Sequence, residues 1–266
     1  MPKVSIIMGT YNCEGVVTQA IDSILAQTFG DWEFIICDDG STDNTWGTLI
    51  DYVGRNPKFI LLRNIENHGL AAVLNRCIDA SSGEYLARQD ADDISVETRL
   101  EEQVAFLDRN NDVSVLGTYG ELFDADGNCW GEIKSPEVPE KKDWIRGASV
   151  VHASVLMRKK DVLGVGKYDE KIIRVEDYDL WTRMISKGYR IRTLPRALYK
   201  ICWGISDYSR RKFKYRLIEA RVRLECCRRL NAPLADYIYI FKPLVIGIMP
   251  LRVSHLYHNW KFRKIK

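Results

Sequence analysis

The chain has 266 residues, 46% of them apolar, 28% charged and 11% aromatic, with a net charge of +3. This is ordinary globular composition and excludes a collagen-like, mucin-like or largely disordered chain. Seven cysteines, an odd number with no C-x-x-C spacing and with Cys226 and Cys227 adjacent, argue against a disulfide framework or a zinc site and for a reducing, cytosolic setting.

The first 90 residues alternate between strand and helix signals. Val4–Met8 is a continuous apolar run ending at Gly9-Thr10, as in a buried strand. Val17, Ile21, Ile24, Leu25 and Thr28 then share one helical face. Glu33–Cys37 reads as a second strand, followed by a helix from an Asp43 cap to Gly54. Phe59–Leu62 is a third strand. Leu70, Val73, Leu74, Cys77 and Ile78 mark another helix, and Tyr85–Ala87 a fourth strand. Beyond these, a helix is expected near Glu97–Arg109 and a longer strand at Val113–Phe123, with a turn at Asp126-Gly127-Asn128. A short strand follows at Ser154–Arg158, then a helix at Glu176–Ser186 ended by Gly188. Met1-Pro2-Lys3 leads straight into the first strand, without the apolar core of a secretory signal.

Repeated strand–helix units imply an α/β fold, a doubly wound, mostly parallel sheet with helices on both faces. Ligands of such sheets sit beyond the carboxyl ends of the strands. Three polar clusters fall there: Thr10-Tyr11-Asn12, Asp38-Asp39 and Asp90-Ala91-Asp92-Asp93. Their convergence predicts one acidic crevice. Alternate carboxylates on an extended segment point to one side and suit Mg²⁺ or Mn²⁺ together with a diphosphate. Asp90–Asp93 also reads as an acidic turn capping the next helix, and its place beside the other clusters favours the metal. Asp38-Asp39 can accept a hydrogen bond from a nucleobase N–H, and Thr10-Tyr11-Asn12 offers amides and a ring to a base. Glu176-Asp177-Tyr178-Asp179 opens a helix, where acidic residues suit the macrodipole; Glu176 and Asp177 are also candidates for a general base. His152 is a candidate phosphate contact or a structural histidine, and the cysteines read as core residues.

The charge divides unevenly. Residues 1–204 carry a balance of −8 and residues 205–266 a balance of +11. The expected organisation is a body over residues 1–204, with a nucleotide-binding half to about residue 95 and an acceptor half over residues 96–204. A basic, amphipathic helical extension follows over residues 205–266. In that extension Phe213, Leu217, Ala220 and Leu224 fall at helical spacing. Arg210, Arg211, Lys212, Lys214 and Arg216 suit an anionic membrane surface, with Tyr237, Tyr239, Phe241, Leu244, Ile246 and Trp260 entering the headgroup region. The opposing reading packs the extension on the body through Phe213, Leu217 and Leu224. Leu234–Leu251 holds Asp236, Lys242, Pro243 and Pro250 and makes a poor membrane span. P-loop, G-x-G-x-x-G, H-E-x-x-H and G-x-S-x-G patterns are absent.

Val4-Ser-Ile-Ile-Met-Gly-Thr-Tyr-Asn12, Asp38-Asp-Gly-Ser-Thr-Asp43, Asn67-His-Gly-Leu70, Asp90-Ala-Asp-Asp93 and Glu176-Asp-Tyr-Asp-Leu-Trp181 occur in that order. Together they resemble the family 2 glycosyltransferases, over roughly residues 3–200. The resemblance implies a GT-A fold and an inverting, metal-dependent transfer of one sugar from a nucleotide sugar, by preference UDP-linked. Among the family, bacterial enzymes of surface polysaccharide synthesis are the most similar, including those that extend a saccharide on diphosphoundecaprenol. Matching positions imply that Thr10, Tyr11, Asp39 and Asp90 bind nucleotide and that Asp92 binds Mn²⁺ or Mg²⁺. They make Asp177 the catalytic base, with Glu176 in support. Val96-Glu97 departs from the proline usual before Arg99-Leu100. The Q-x-x-R-W motif of processive synthases is absent, pointing to single-sugar transfer. The expected partners are a nucleotide-sugar donor, a lipid-linked or oligosaccharide acceptor and the inner face of the plasma membrane, with no nucleic acid. The rival readings are a non-catalytic membrane adaptor, a nucleic-acid-binding protein using the basic tail, and a nucleotidyltransferase.

Overall fold

A computed structural model describes residues 1–54, 56–147, 150–203, 213–248 and 262. Arg210, Arg211, Lys212 and Trp260 lie outside them. The first half alternates as the sequence predicts: β1 (Val4–Thr10), α1 (Val17–Leu25), β2 (Trp32–Asp39), α2 (Thr45–Val53), β3 (Phe59–Asn64), α3 (Leu70–Ala80) and β4 (Tyr85–Arg88). It continues with β5 (Ile94–Ser95), α4 (Arg99–Arg109), β6 (Val113–Phe123), β7 (Cys129–Ile133) and α5 (Lys141–Ile145). After a 3₁₀ turn at His152–Ser154 come β8 (Leu156–Arg158), α6 (Lys159–Gly164), α7 (Glu176–Ser186) and β9 (Arg190–Cys202). The tail forms α8 (Phe213–Arg229), a 3₁₀ segment (Leu234–Phe241) and α9 (Lys242–Ile248).

The described strands form one sheet in the order β3-β2-β1-β4-β8-β6-β9-β5, with β7 on β6. β1 runs parallel to β2 and β4, β2 parallel to β3, and β6 parallel to β9. β8 lies antiparallel between β4 and β6, and β5 is antiparallel to β9. The mostly parallel expectation therefore holds for the first half, while the second half is mixed.

Alternation along β1 divides the core. Val4, Ile6 and Met8 face a cluster with α1, α2 and α4, whereas Ile7 faces one with α3, α7 and α8. Gly9 lets α3 approach: a Cβ there would lie 2.7 Å from Val73 Cγ1. Asn44 precedes α2, but the expected Asp43 still serves its first turn, since Asp43 Oδ1 accepts the Thr45 N–H at 3.0 Å.

The tail departs from expectation. Phe213 and Leu217 are about half exposed, and Leu224 is only partly buried. The face of α8 that joins the core is Val222, Cys226 and Cys227, continued by Leu230. Not every cysteine is in the core: Cys129 is exposed, and Cys13 and Cys202 are partly so. Among the described residues no helix is long and apolar enough to cross a membrane.

Candidate active site

The loops after β1 and β2 lock together through the backbone. Asn12, in the left-handed region at φ 49°, accepts the Thr42 N–H through Oδ1 at 2.8 Å, and its own N–H reaches Ser41 Oγ at 3.0 Å. Cys13 N donates to Thr45 Oγ1, and Asn44 N to Glu14 Oε2. Asp38 is fully buried and serves this latch, accepting Ser41 Oγ at 2.5 Å and Thr10 Oγ1 at 3.4 Å. Asp39 is fixed differently. Its Oδ1 accepts Asn64 Nδ2 at 2.7 Å and His68 N at 3.0 Å, and its Oδ2 accepts Gly69 N at 2.8 Å. An ionised carboxylate accepts about four hydrogen bonds, so this aligned group keeps one place for a ligand N–H. Thr10 is buried, and Tyr11 is 48% exposed.

The Asp90–Asp93 loop leaves β4 beside two buried arginines that the sequence reading passed over as site residues. Arg88 ion-pairs with Asp90 at 2.6 Å, and Tyr199 Oη accepts the Asp90 N–H at 2.9 Å. Arg99 is fully buried and stacks on Tyr199. It donates to Ser95 Oγ at 2.7 Å, Arg88 O at 2.7 Å and Gln103 Oε1 at 3.1 Å. Asp93 is turned inward and accepts the Cys202 N–H at 2.8 Å; burial, then Asp90 and Asp92, raise its pKa. Asp92 is exposed and lines the cleft.

Glu176 and Asp177 open α7 on the opposite wall. Val175 precedes them at φ 58°, a strained conformation for a β-branched residue that swings the helix start toward the cleft. Burial first, and then the Asp177 charge, push Glu176 up to about 7. Burial raises Asp177 as well, against the backbone N–H of Tyr178 and the nearby Arg88. Glu176 is thereby poised to exchange a proton near neutral pH, with the Asp177 carboxyl beside it, also raised by burial. His152 is not among the cleft-lining residues. Its Nε2 lies 2.8 Å from Tyr168 Oη and its ring packs edge-on to Trp181. Burial and the Arg88 charge hold it well below its usual range, so it is neutral at pH 7.

The Asp90–Asp93 loop and the start of α7 line a cleft of about 550 Å³; Thr10, Tyr11, Asp38 and Asp39, expected in the same crevice, are not among its lining residues. The tail closes it. Tyr215, Arg216 and Glu219 of α8, Ile246 of α9, and Trp203 complete a lining shared with Asp90, Asp92, Asp93 and Arg174–Asp177. Arg216, expected at a lipid surface, instead pairs with Glu219 at 2.9 Å. Ile246, also expected in the headgroup region, lines the cleft, and Tyr237 packs on the core. The tail contribution carried no local motif; only the Arg88 position, immediately ahead of the acidic loop, was readable as a signal.

The residues fit a divalent cation of the open kind. Among the described residues no three His, Cys, Asp or Glu side chains gather into a cage. Asp90 pairs with Arg88 and Asp93 accepts a backbone N–H, while Asp92 is exposed in the cleft lining. One carboxylate completed by phosphate oxygens and water is how Mg²⁺-type ions are commonly held.

A doubly wound sheet with an acidic strand-end loop and a carboxylate pair lining one cleft is the arrangement that the resemblance to GT-A glycosyltransferases implies. Comparison with known structures agrees. TarS of S. aureus superimposes with a TM-score of 0.66 at 20% identity over 92% of this chain, which spans 43% of TarS. The mannosyltransferase PcManGT of Pyrobaculum calidifontis, solved with GDP-Man and Mn²⁺, superimposes with a TM-score of 0.67 at 18% identity over 98% of this chain and 79% of that one. The model of Glycosyl transferase family 2 matches residues 5–164. EpsE of Bacillus subtilis (strain 168), a glycosyltransferase by attribution, is 41% identical over 97% of this chain and 94% of its own. The Escherichia coli protein WfaP, named UDP-Glc:alpha-D-GlcNAc-diphosphoundecaprenol beta-1,3-glucosyltransferase, is 30% identical over 84% of this chain and 86% of its own. The chain belongs to glycosyltransferase family 2.

Proposed function

We propose that this glycosyltransferase moves one sugar from a nucleotide sugar, by preference UDP-linked, to a hydroxyl of a saccharide carried on a polyprenyl diphosphate, in surface polysaccharide synthesis. The observation that carries the reading is the cleft itself, with the Asp92 loop on one wall and the Glu176–Asp177 pair on the other. Asp39 accepts a base N–H, while Thr10 and Tyr11 border the base. Asp90, held by Arg88, faces the nucleotide. Asp177 takes the acceptor hydroxyl proton as its oxygen attacks the anomeric carbon. The anomeric carbon–oxygen bond breaks with its electron pair going to the nucleoside diphosphate, and the configuration inverts. Glu176 shares the proton and orients the hydroxyl. A divalent cation on Asp92, Mn²⁺ or Mg²⁺, supplies neutralising charge to the leaving diphosphate when bound. The names of WfaP and the solved complex of PcManGT support the acceptor and the cation.

The test is a thermal-shift panel of UDP-, GDP- and dTDP-sugars with and without Mn²⁺ or Mg²⁺, followed by nucleotide release. Metal-dependent stabilisation by one nucleotide class, lost in Asp39→Ala and Asp92→Ala, is expected. A folded protein that shifts with no nucleotide overturns the reading in favour of a non-catalytic adaptor.

The same reading sets the protein peripherally on the inner face of the plasma membrane. Leu217, Leu234, Ile238, Phe241, Val245 and Ile248 expose apolar side chains on tail elements that pack on one another. Residues 205–266 carry the +11 balance, which suits anionic lipid. Truncation is the wrong test, because Cys226, Cys227 and Leu230 belong to the core. Flotation with phosphatidylglycerol vesicles of wild type and of a Phe241→Glu, Val245→Glu variant decides it. Equal flotation of both rejects this anchor.

A further inference from the structure

The cleft is acidic on both catalytic walls, yet its tail side carries Arg216 and, close by, Arg174. The Arg174 guanidinium lies 5.0 Å from the centre of the Tyr215 ring, so both arginines converge on the same turn of α8. Arg216 is held from two sides. Its Nη1 donates to Glu219 at 2.9 Å, and Glu219 in turn accepts Arg223 at 3.0 Å. From the other side α9 presses on its stem: a Cβ on Gly247 would lie 2.8 Å from Arg216 Cγ. Arg216 Nε is nevertheless buried, with no hydrogen-bond partner among the described residues. A buried N–H of a charged group left without a hydrogen bond is costly even where another nitrogen of that group is paired, and a ligand acceptor would complete it.

A saccharide hydroxyl attacking beside Asp177 needs no cation. Two guanidinium groups on that side of the cleft match an anionic oxyacid, which arginine binds through paired N–H donors. The donor's own diphosphate is accounted for by the opposite wall, at Asp92. The two helices that carry Arg216 and its cover also expose apolar side chains, Leu217 and Val245, of a kind that suits a hydrocarbon chain.

We propose that Arg216 and Arg174 form the binding site for the anionic linkage of the acceptor, the diphosphate ester that joins its saccharide to the lipid; this rests on the polyprenyl-diphosphate acceptor proposed above. Tyr215 holds Arg174 in place, and Glu219 with Arg223 fixes the fork of Arg216. The site lies beyond the stretch matched by the family model, which ends at residue 164.

The experiment is direct binding in EDTA, which removes the metal-dependent donor site from play. The probes are phenoxyundecyl-diphosphate N-acetylglucosamine and the phenoxyundecyl glycoside of the same sugar without phosphates. Wild type is expected to prefer the diphosphate probe by about 10- to 100-fold. Arg216→Gln and Arg174→Gln are each expected to lose most of that preference while binding the neutral glycoside as before. Arg174 is surface-exposed, so its variant keeps the test valid if the Arg216 variant is unstable. A preference retained in both variants overturns this site and leaves the proposed acceptor standing. No preference in wild type overturns the acceptor reading and the site with it.

Discussion

The two sides of the cleft are built by different means. The proposed nucleotide side is a set of short loops at the ends of β1, β2 and β4, of which the β4 loop lines the cleft, braced within themselves: Asp38 on Ser41, Asn12 on Thr42, Asp39 on residues 64, 68 and 69. Its carboxylates are exposed or satisfied by hydrogen bonds. The other side is assembled from segments far apart in the chain, residues 174–177, 201–203, 215–219 and 246. It holds the strained Val175, the raised Glu176 and Arg216 Nε, which has no hydrogen-bond partner among the described residues. The second side gathers more of the groups that a ligand or a proton relieves, although the first also buries Asp93, which burial and its acidic neighbours raise. Rigid loops suit a recognition that must come first; poised groups suit the chemistry that follows.

Four substitutions sharpen or break this contrast. Asp177→Asn is expected to lower turnover by about 10²- to 10⁴-fold with the melting temperature preserved. Near-normal turnover by single-turnover assay removes Asp177 as the base. Arg99→Leu deletes the brace beneath the acidic loop and strands buried acceptors at Arg88 O, Gln89 and Ser95. It should cost about 3–5 kcal/mol in denaturant unfolding; a much smaller loss means the loop supports itself.

Glu176→Gln acts in the opposite direction. A carboxyl raised from 4.5 to about 7 binds more protons folded than unfolded, so its contribution is full below pH 4.5 and is lost as pH rises through 7. Removing the charge should therefore stabilise the protein at pH 8 by about 2–3 kcal/mol. The gain shrinks toward pH 4.5 in parallel melts. Asp177, Arg88 and Arg174 set the field at this group, so a flat pH difference means that the burial is relieved locally. Val175→Gly should be the mildest: relief of the left-handed backbone offsets the lost packing, leaving stability within about 1 kcal/mol of wild type. A loss of 2 kcal/mol in chemical denaturation shows that the backbone there is not strained.

How much was legible in the sequence follows the same division. Val113–Phe123 and Glu176–Ser186 occur with the bounds their periodicity implies, because each is patterned along its whole length. The strand-end loops were legible because a loop at the end of a parallel strand has its site fixed by topology. β9 was missed. It carries Arg190, Arg192, Arg196 and Lys200 around Pro195, and its pairing with β6 skips Pro195 and Arg196 between Leu194 and Ala197. The skip leaves proline off the ladder, where its missing N–H does no harm, and breaks the alternation that would have announced a strand. The inner face of the tail was only partly legible for a related reason. Periodicity placed Phe213, Leu217, Ala220 and Leu224 on one face, of which Ala220 is buried, but the stripe that meets the core runs through Val222, Cys226, Cys227 and Leu230. Arg216 and Tyr215 have no neighbours in sequence that identify them; their role exists only once α8 lies across the cleft.

The placement of that helix has a consequence for descent. The loops after β1, β2 and β4 are encoded within residues 5–164, and the closing wall within residues 213–248. A lineage can therefore rewrite the second stretch of gene by point change or recombination, and reshape one end of the cleft, while the first stretch is inherited untouched.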